Sequence, residues 1–445
     1  MRTPADRDPA KLFLLAGLLA LWCGALFGVI GAWQHVIPGV VDAISFVKSR
    51  PLHVSLVVAW IFLGAVGGVY HYLPRLTGVA LHAPKLARWH LGIFIGTGLL
   101  IIASYLAGRF GGREYWEFPP VLGIPIAVGW LLLVYNFFRT AAKRKGPWPA
   151  YLWMWATGIV FFLLTFAEAH LYLLPGFSGN AVRDLTVQWK AYGALTGSWN
   201  MLVYGTSMVV MERISGDTRP ALSRTAFLLF ALGFTNLLFG WAHHIYPVPA
   251  ASWLRILAYA ISMTEWLLLV RMIRAWRGTL DAGLKQRHSL PHRFLFASEV
   301  WVFINLGLAL LISIPAINLF THGTHITVAH AMGSTIGINT TILFASVFFI
   351  AGGMLTRSAR AGFWIFNSSL LLFWLCLVGA GMVKGWLTVT TDMAFQPIMD
   401  KAWPFIAGFA VSGIGLFIGL TLLVRHAAKA LLSFRTAEIE STSQP

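Results

Sequence analysis

The sequence is poor in charge and in cysteine. Only 11% of its 445 residues are charged and 58% are hydrophobic, whereas about a quarter of the residues of a soluble domain are charged. The two cysteines, Cys23 and Cys376, both lie inside long apolar runs. A soluble domain is therefore excluded, and neither a disulfide framework nor a cysteine-based zinc site can be assigned.

Linkers and short repeats are also missing. No segment rich in proline, serine or charge divides the chain, and no short-period repeat is visible. We therefore predict one membrane domain over 1–432. The tail 433–445 is polar and is predicted to be disordered, because it cannot bury enough apolar surface to offset the entropy lost on ordering.

Long apolar runs are what the chain has instead. Each is close to the roughly 20 residues that a membrane-spanning helix needs. The sequence therefore predicts an all-α membrane protein of about twelve transmembrane helices, over 11–33, 52–76, 88–109, 121–140, 150–174, 187–212, 223–246, 251–276, 293–320, 324–352, 361–386 and 403–431.

The net charge of +17 follows this topology. With the N-terminus in the cytoplasm, 24 of the 33 lysines and arginines fall in inner segments and the remaining 9 in outer segments. Because positive charge concentrates on the inner side of membrane proteins, both termini are predicted to be cytoplasmic. The excess of lysine and arginine over acidic residues thus indicates the lipid bilayer as a partner, and not nucleic acid.

Candidate ligands share one depth in this topology. Ionisable residues inside a membrane are costly and usually mark function. Side chains from five predicted helices lie near the outer face: His53, His170, Tyr192, His243, His244, His330 and Met332. A random placement would scatter them over both faces, so the outer layer is the candidate site.

The motif "HAM" joins His330 to Met332. Two residues on a helix are separated by about 200°, so these side chains point to nearly opposite faces. They cannot bind one metal together, but they can bind two large cofactors on either side of the helix, since histidine and methionine are both axial haem ligands. The alternative is a buried histidine beside a methionine that fills space.

The motif "WAHHIYP" contains adjacent histidines, His243 and His244. Neighbouring side chains on a helix diverge by about 100°, but two imidazoles can converge on one ion where a helix ends. Tyr246 and Pro247 just beyond indicate such an end. The pair is predicted to bind a metal.

Three segments, "RPLHVSLVVAWIFLGAVGGVYHYLP", "GWAHHIYPVPAASWLRILAYAISMTE" and "FTHGTHITVAHAMG", together resemble the large subunit of nitric oxide reductase, within the haem-copper oxidase superfamily. The resemblance covers nearly the whole chain and implies the subunit I fold with two b-type haems. It makes His53 a ligand of the low-spin haem and His330 the ligand of the high-spin haem. His243 and His244 then match ligands of a non-haem iron or copper.

The same resemblance implies two roles for glutamates. Glu265 matches a buried glutamate near the non-haem metal. "GREYWEFPP" is similar to a family segment in which an acidic residue binds calcium beside the haem propionates, and Glu117 is the match.

The chain also departs from the family pattern. Met332 stands where the family has a second histidine for the low-spin haem, which implies a His/Met haem of higher potential. Tyr192, Thr196 and Asn200 stand where the family has a third histidine ligand and two glutamates. Tyr192 is then an anionic oxygen ligand, a proton or radical donor, or a packing residue.

The resemblance implies an oxidoreductase that converts two NO to N2O. No CxxCH motif is present for covalent haem, so the expected electron donor is a membrane-anchored cytochrome c-type subunit. The lost glutamates favour an alternative, a non-catalytic haem protein that binds, senses or relays NO or electrons. A terminal O2 reductase is the other alternative.

Overall fold

The computed structural model describes residues 8–433 except Pro38, Asp42, Pro247 and Ala250, and leaves out the side chains of Ser262, Glu265 and Trp266. The predicted tail beyond residue 433 lies outside this range. The described part contains the following long helices: α1 Pro9–Val36, α2 Phe46–Thr77, α3 Pro84–Leu106, α4 Gly123–Ala141, α5 Ala150–Glu168, α6 Ala181–Ser215, α7 Arg224–Phe239, α8 Ser252–Arg277, α9 Ser289–Ser313, α10 His325–Ile350, α11 Arg357–Thr390 and α12 Phe395–Ser433.

The all-α prediction is confirmed. The described residues contain no strand, only an isolated bridge between Arg113 and Trp116. Each predicted span coincides with one of the long helices. Within the described part, 10 helices are long and apolar enough to cross a membrane, and the ones that fall short are α6 and α8. The exact number of spans stays a prediction.

Local sequence explains where several helices begin and end. Asp8 caps α1 by accepting a hydrogen bond from the amide of Ala10, and Thr356 caps α11 through the amide of Ala359. Side-chain oxygens at this position satisfy amides that the first turn leaves unpaired. Helices α2 and α6 end at Gly78 and Gly216, whose φ angles of +71° and +70° suit glycine best.

The outer surface of the bundle is apolar. Large hydrophobic side chains stand exposed on several helices, including Leu99, Val121, Ile124, Trp364 and Trp386. Exposed apolar surface of this extent marks contact with a membrane or a partner. The outer surface of the bundle therefore faces lipid, and polar functional side chains are expected in the interior.

Helix α10 changes geometry within its length. An α-helical segment, His325–Met332, is followed by a π-helical segment, Gly333–Thr340, and then by a second α-helical segment, Thr341–Ile350. Such π segments are rare and occur frequently at functional sites. His330 and Met332 lie on the regular α-helical part, immediately before the change.

Candidate metal centre

The interior of the bundle holds a cavity of about 260 Å³. Residues of α5, α6, α7, α8, α9 and α10 line it, together with the turn that follows α7. Three imidazoles belong to this lining, those of His243, His244 and His330. The structure therefore brings together three of the histidines that the sequence singled out.

The adjacent histidines lie in a 3-10 turn, Gly240–Ile245, that follows the end of α7 at Phe239. Their ring centroids are 4.2 Å apart, and the His244 ring stacks on Trp189 with an interplanar angle of 10°. The predicted helix end is confirmed. The Nδ1 atom of His243 is buried without a hydrogen-bond partner. Buried polar atoms usually have a partner, so a bound metal or ligand is expected to satisfy this nitrogen.

His330 faces the cavity from α10, with Ser334, Ile338 and Ile342 on the same side of the helix. Its Nδ1 atom is also buried and unpaired. Met332 is not among the described residues of the cavity lining, and it packs instead against the main hydrophobic core. This agrees with the prediction that the two side chains occupy different faces.

His53 lies on α2 with its ring against α1. Its Nδ1 atom is 2.7 Å from the carbonyl oxygen of Gly24, and a Cβ at position 28 would lie 2.7 Å from the same atom. Gly28 thus provides the space in which the ring lies. A hydrogen bond at Nδ1 fixes the tautomer and leaves Nε2 as the candidate ligand atom.

Tyr192 lies on α6 next to the cavity but not among the described residues of its lining. The ring is 3% exposed and meets Tyr115 edge-on, with ring centroids 5.0 Å apart. Its hydroxyl is buried without a partner. Thr196 and Asn200, one and two turns further along, do line the cavity. The catalytic role of Tyr192 stays a prediction.

Glu265 lies within α8, but its side chain is outside the described part of the structure. Leu269, Met272 and Ile273 of the same helix line the cavity. The catalytic role of Glu265 likewise stays a prediction.

Glu117 lies in the segment between α3 and α4, where Arg50 forms ion pairs with both Glu117 and Glu114. The distance from Arg50 to Glu114 is 2.8 Å. Burial raises the pKa of Glu117, and the nearby guanidinium opposes this rise. Calcium takes six to eight oxygen ligands, whereas both carboxylates here are already paired with the guanidinium of Arg50. The residues present do not fit the predicted calcium ion.

Sequence reasoning missed the polar groups that surround His330. The amide nitrogen of Asn305 on α9 donates to the hydroxyl of Ser334 at 2.8 Å, and both residues line the cavity with Glu299. Polar residues six positions apart in the apolar run "SEVWVFINLG" were the available signal.

Imidazole nitrogens are suitable ligands for both a haem iron and a non-haem metal ion. Unpaired, buried ring nitrogens on His243 and His330 meet at a large cavity. A metal held only by His, Cys, Asp or Glu would need at least three such side chains close together. Among the described residues, no such group of three is found. A non-haem metal here would therefore need ligands beyond His243 and His244.

The described helices form a membrane bundle around a cavity lined by three imidazoles. The family model described as cytochrome c and quinol oxidase polypeptide I matches residues 8–418. The chain therefore belongs to this family, that of haem-copper oxidase subunit I.

Curated relatives with different activities match the chain at low identity. A nitric oxide reductase subunit of Stutzerimonas stutzeri is 24% identical, covering 92% of each chain. Cytochrome c oxidase subunit 1 of Rhodobacter capsulatus is 25% identical, over 94% of this chain and 86% of the relative. The cbb3-type cytochrome c oxidase subunit CcoN1 of S. stutzeri is 23% identical, over 98% and 97%.

A solved structure of a haem-copper terminal oxidase dimer superposes with a TM-score of 0.79 at 16% identity. The match covers 96% of this chain and 85% of that one. At this identity the likeness establishes the fold. The predicted subunit I fold is confirmed.

Proposed function

We propose that this chain is the haem-bearing subunit of a membrane reductase that converts NO to N2O. The reaction 2 NO + 2 H⁺ + 2 e⁻ → N2O + H2O needs a site that collects two gas molecules, two protons and two electrons. The observation that carries the proposal is the meeting of His243, His244 and His330 at one buried cavity. The similarity to the nitric oxide reductase of S. stutzeri supports the choice of substrate.

The cofactors of this proposal are two b-type haems and one non-haem iron or copper. His330 would hold the high-spin haem, His53 and Met332 the low-spin haem, and His243 with His244 the non-haem metal. Bound there, these groups would supply the electron storage and the NO-binding positions. The chain itself supplies fixed imidazole orientations, through the Gly24 carbonyl at His53 and the Trp189 stack at His244.

The electron donor in this proposal is a membrane-anchored cytochrome c-type subunit at the outer face of a bacterial inner membrane. Relatives of the chain are subunits of oxidases and reductases. Glu265 and Tyr192 are the proposed groups for proton exchange with the site.

A second candidate function, NO binding without reduction, is favoured by one observation. Thr196 and Asn200 line the cavity beside the histidines, and neither side chain carries an exchangeable acidic proton. A site that binds NO but receives protons slowly would act as a sensor or a store.

The deciding experiment uses the chain purified from native-like membranes with its bound cofactors. Isotope-labelled NO and a reduced cytochrome c are supplied, and N2O and O2 are followed by mass spectrometry. Formation of labelled N2O supports the proposal. Consumption of O2 without N2O indicates an oxidase, and an NO-bound haem spectrum without turnover indicates the second candidate.

The matched control separates the cavity from other histidines. His243→Ala should abolish N2O formation, whereas His82→Ala should not. His82 lies outside the cavity, in contact with Tyr135 at 3.3 Å.

A further inference from the structure

Methionine is frequent in the lining of the cavity. Five of the 12 methionines of the chain belong to it, Met154, Met201, Met208, Met211 and Met272. Methionine in a protein core usually fills irregular gaps. A side chain that fills a gap leaves no space beside it, whereas these thioethers border a cavity of about 260 Å³. Their sulfur atoms are therefore accessible to a ligand inside the cavity.

Helices α6 and α8, which carry three of these methionines, run in the same direction. Both begin beside the turn that holds the adjacent histidines. On α6, a Cβ added to Gly193 would meet the side chain of Trp241 in that turn. On α8, Arg255 donates a hydrogen bond to the carbonyl oxygen of Tyr246 at 3.4 Å. The other ends of the two helices therefore lie together at the opposite end of the cavity.

Met208, Met211 and Met272 lie at one level at this opposite end. Met208 and Met211 are three residues apart on α6, so their side chains are neighbours on one face. Nε1 of Trp276 on α8 donates to the carbonyl oxygen of Met211 at 3.1 Å, which fixes the register of the two helices. Met272 lies about one turn before Trp276 and Met208 about one turn before Met211. The three thioethers thus border the same part of the cavity.

A buried carboxylate lies beside these thioethers. Glu299 on α9 is 2% exposed and also lines the cavity. One carboxylate oxygen accepts a hydrogen bond from Nε of Arg277, the residue after Trp276, at 2.8 Å. The other oxygen is buried without a partner. Buried polar atoms usually have a partner, and an ionisable group inside a membrane usually marks function, so this oxygen points to a bound cation.

We propose that Met208, Met211 and Met272 bind one Cu(I) ion, with Glu299 supplying negative charge beside it. Thioether sulfur is a soft ligand and selects Cu(I) among the metal ions of the cell. A buried positive charge is costly unless it is paired, and the unpaired oxygen of Glu299 offsets this cost.

The thioether site is separate from the histidine centre. Thr196, which lines the cavity beside the histidines, precedes Met208 by 12 residues on α6. At 1.5 Å per residue, the two levels are roughly 18 Å apart along the helix. The proposal does not rest on NO reduction, because binding of Cu(I) to thioethers requires neither haem nor turnover.

The binding test uses the cofactor-loaded protein with His243→Ala, in which copper at the histidine pair does not contribute. The protein is mixed anaerobically with Cu(I) held by the coloured chelator bicinchoninate. The copper transferred to the protein is measured by absorbance and elemental analysis. We expect one Cu(I) per chain, with sulfur ligands in X-ray absorption spectra. No retained Cu(I), or Cu(I) bound to nitrogen and oxygen alone, would overturn the proposal whether or not the protein reduces NO.

Matched variants identify the ligands. The pair Met208→Leu and Met272→Leu removes two thioethers but nearly conserves volume, which protein cores tolerate well. This double variant should lose the ion in the parent and in the His243→Ala protein alike. Met399→Leu should keep the ion, because Met399 packs against a separate hydrophobic cluster and is not among the described residues of the cavity lining. Undiminished binding in the double variant, or equal loss in Met399→Leu, would overturn the proposal.

Glu299→Gln tests the counter-charge. The variant keeps the shape of the side chain but removes its negative charge. It should weaken Cu(I) binding by about 10- to 100-fold, the usual cost of losing a supporting group next to a metal, and leave the sulfur ligands in place. An unchanged affinity would exclude Glu299 from the site.

Discussion

The imidazole rings of His243 and His244 lie with their centroids 4.2 Å apart in the turn that ends α7. On a regular α-helix, adjacent side chains diverge by about 100°. The change to a 3-10 turn at Gly240 and the stacking of His244 on Trp189 hold the two rings on the cavity side. This arrangement makes the end of α7 the candidate for a non-haem metal.

Met332→His tests the proposed low-spin haem. The substitution should turn a His/Met haem into a bis-His haem and lower its midpoint potential, because a thioether ligand raises the potential. Near-infrared magnetic circular dichroism and a redox titration would follow the change. Met354→His is the control, since Met354 is 78% exposed. An unchanged spectrum in Met332→His would remove Met332 from the haem.

Gly28→Ala tests how His53 is positioned. The added methyl would lie 2.7 Å from Nδ1 of His53, so the ring must shift away from the Gly24 carbonyl. We expect a loss of about 1–3 kcal/mol in stability, together with loss or broadening of the low-spin haem spectrum. Thermal melts and optical spectra would measure both effects.

Gly92→Ala is the matched control for this prediction. Gly92 also lies within a helix, α3, but no atom lies within 4 Å of an added Cβ. It should leave the haem spectrum unchanged and raise stability slightly, because alanine favours the helix over glycine. If both variants behave alike, Gly28 is not what positions the ring.

Arg50→Gln tests the ion pairs at Glu117. The pKa of Glu117 is already raised by burial, and Arg50 opposes this rise, so the variant should raise it further. A carboxyl with a raised folded-state pKa favours folding below its unfolded pKa and loses that contribution as pH rises through the folded pKa. The variant should therefore lose stability relative to the parent as pH increases.

Calcium removal is the companion measurement. Because Arg50 already pairs with both Glu114 and Glu117, a chelator should not change the melting temperature or the haem spectrum of the parent protein. A large fall in melting temperature that added calcium reverses would restore the calcium prediction for Glu117.

NO reduction should be slow compared with relatives that carry acidic groups beside the metal. Thr196 and Asn200 occupy the cavity lining near the histidines and cannot relay protons as carboxylates do. Steady-state N2O production measured beside a purified nitric oxide reductase would check this. Comparable rates in the two proteins would contradict it.

Sequence alone predicted the helices because they depend on local properties, whereas the predicted common depth of the candidate ligands stays a prediction. Apolar runs give the helices their length and position, and the depth of a residue follows from its place in a run. The i, i+2 spacing of His330 and Met332 likewise predicted different faces, which agrees with the structure.

The rest depends on how helices and loops pack, which one sequence does not reveal. The edge-on contact between Tyr192 and Tyr115 joins α6 to a distant loop. The pairing of Arg50 with Glu117 joins residues 67 positions apart. The Arg277–Glu299 pair and the Asn305–Ser334 hydrogen bond also link different helices.

The most direct test of the account is metal and haem analysis of the purified protein and of His243→Ala. The account predicts two b-type haems and one non-haem metal per chain in the parent, and the same two haems without the non-haem metal in the variant. A parent protein that contains haem iron alone would contradict the non-haem metal site proposed at His243 and His244.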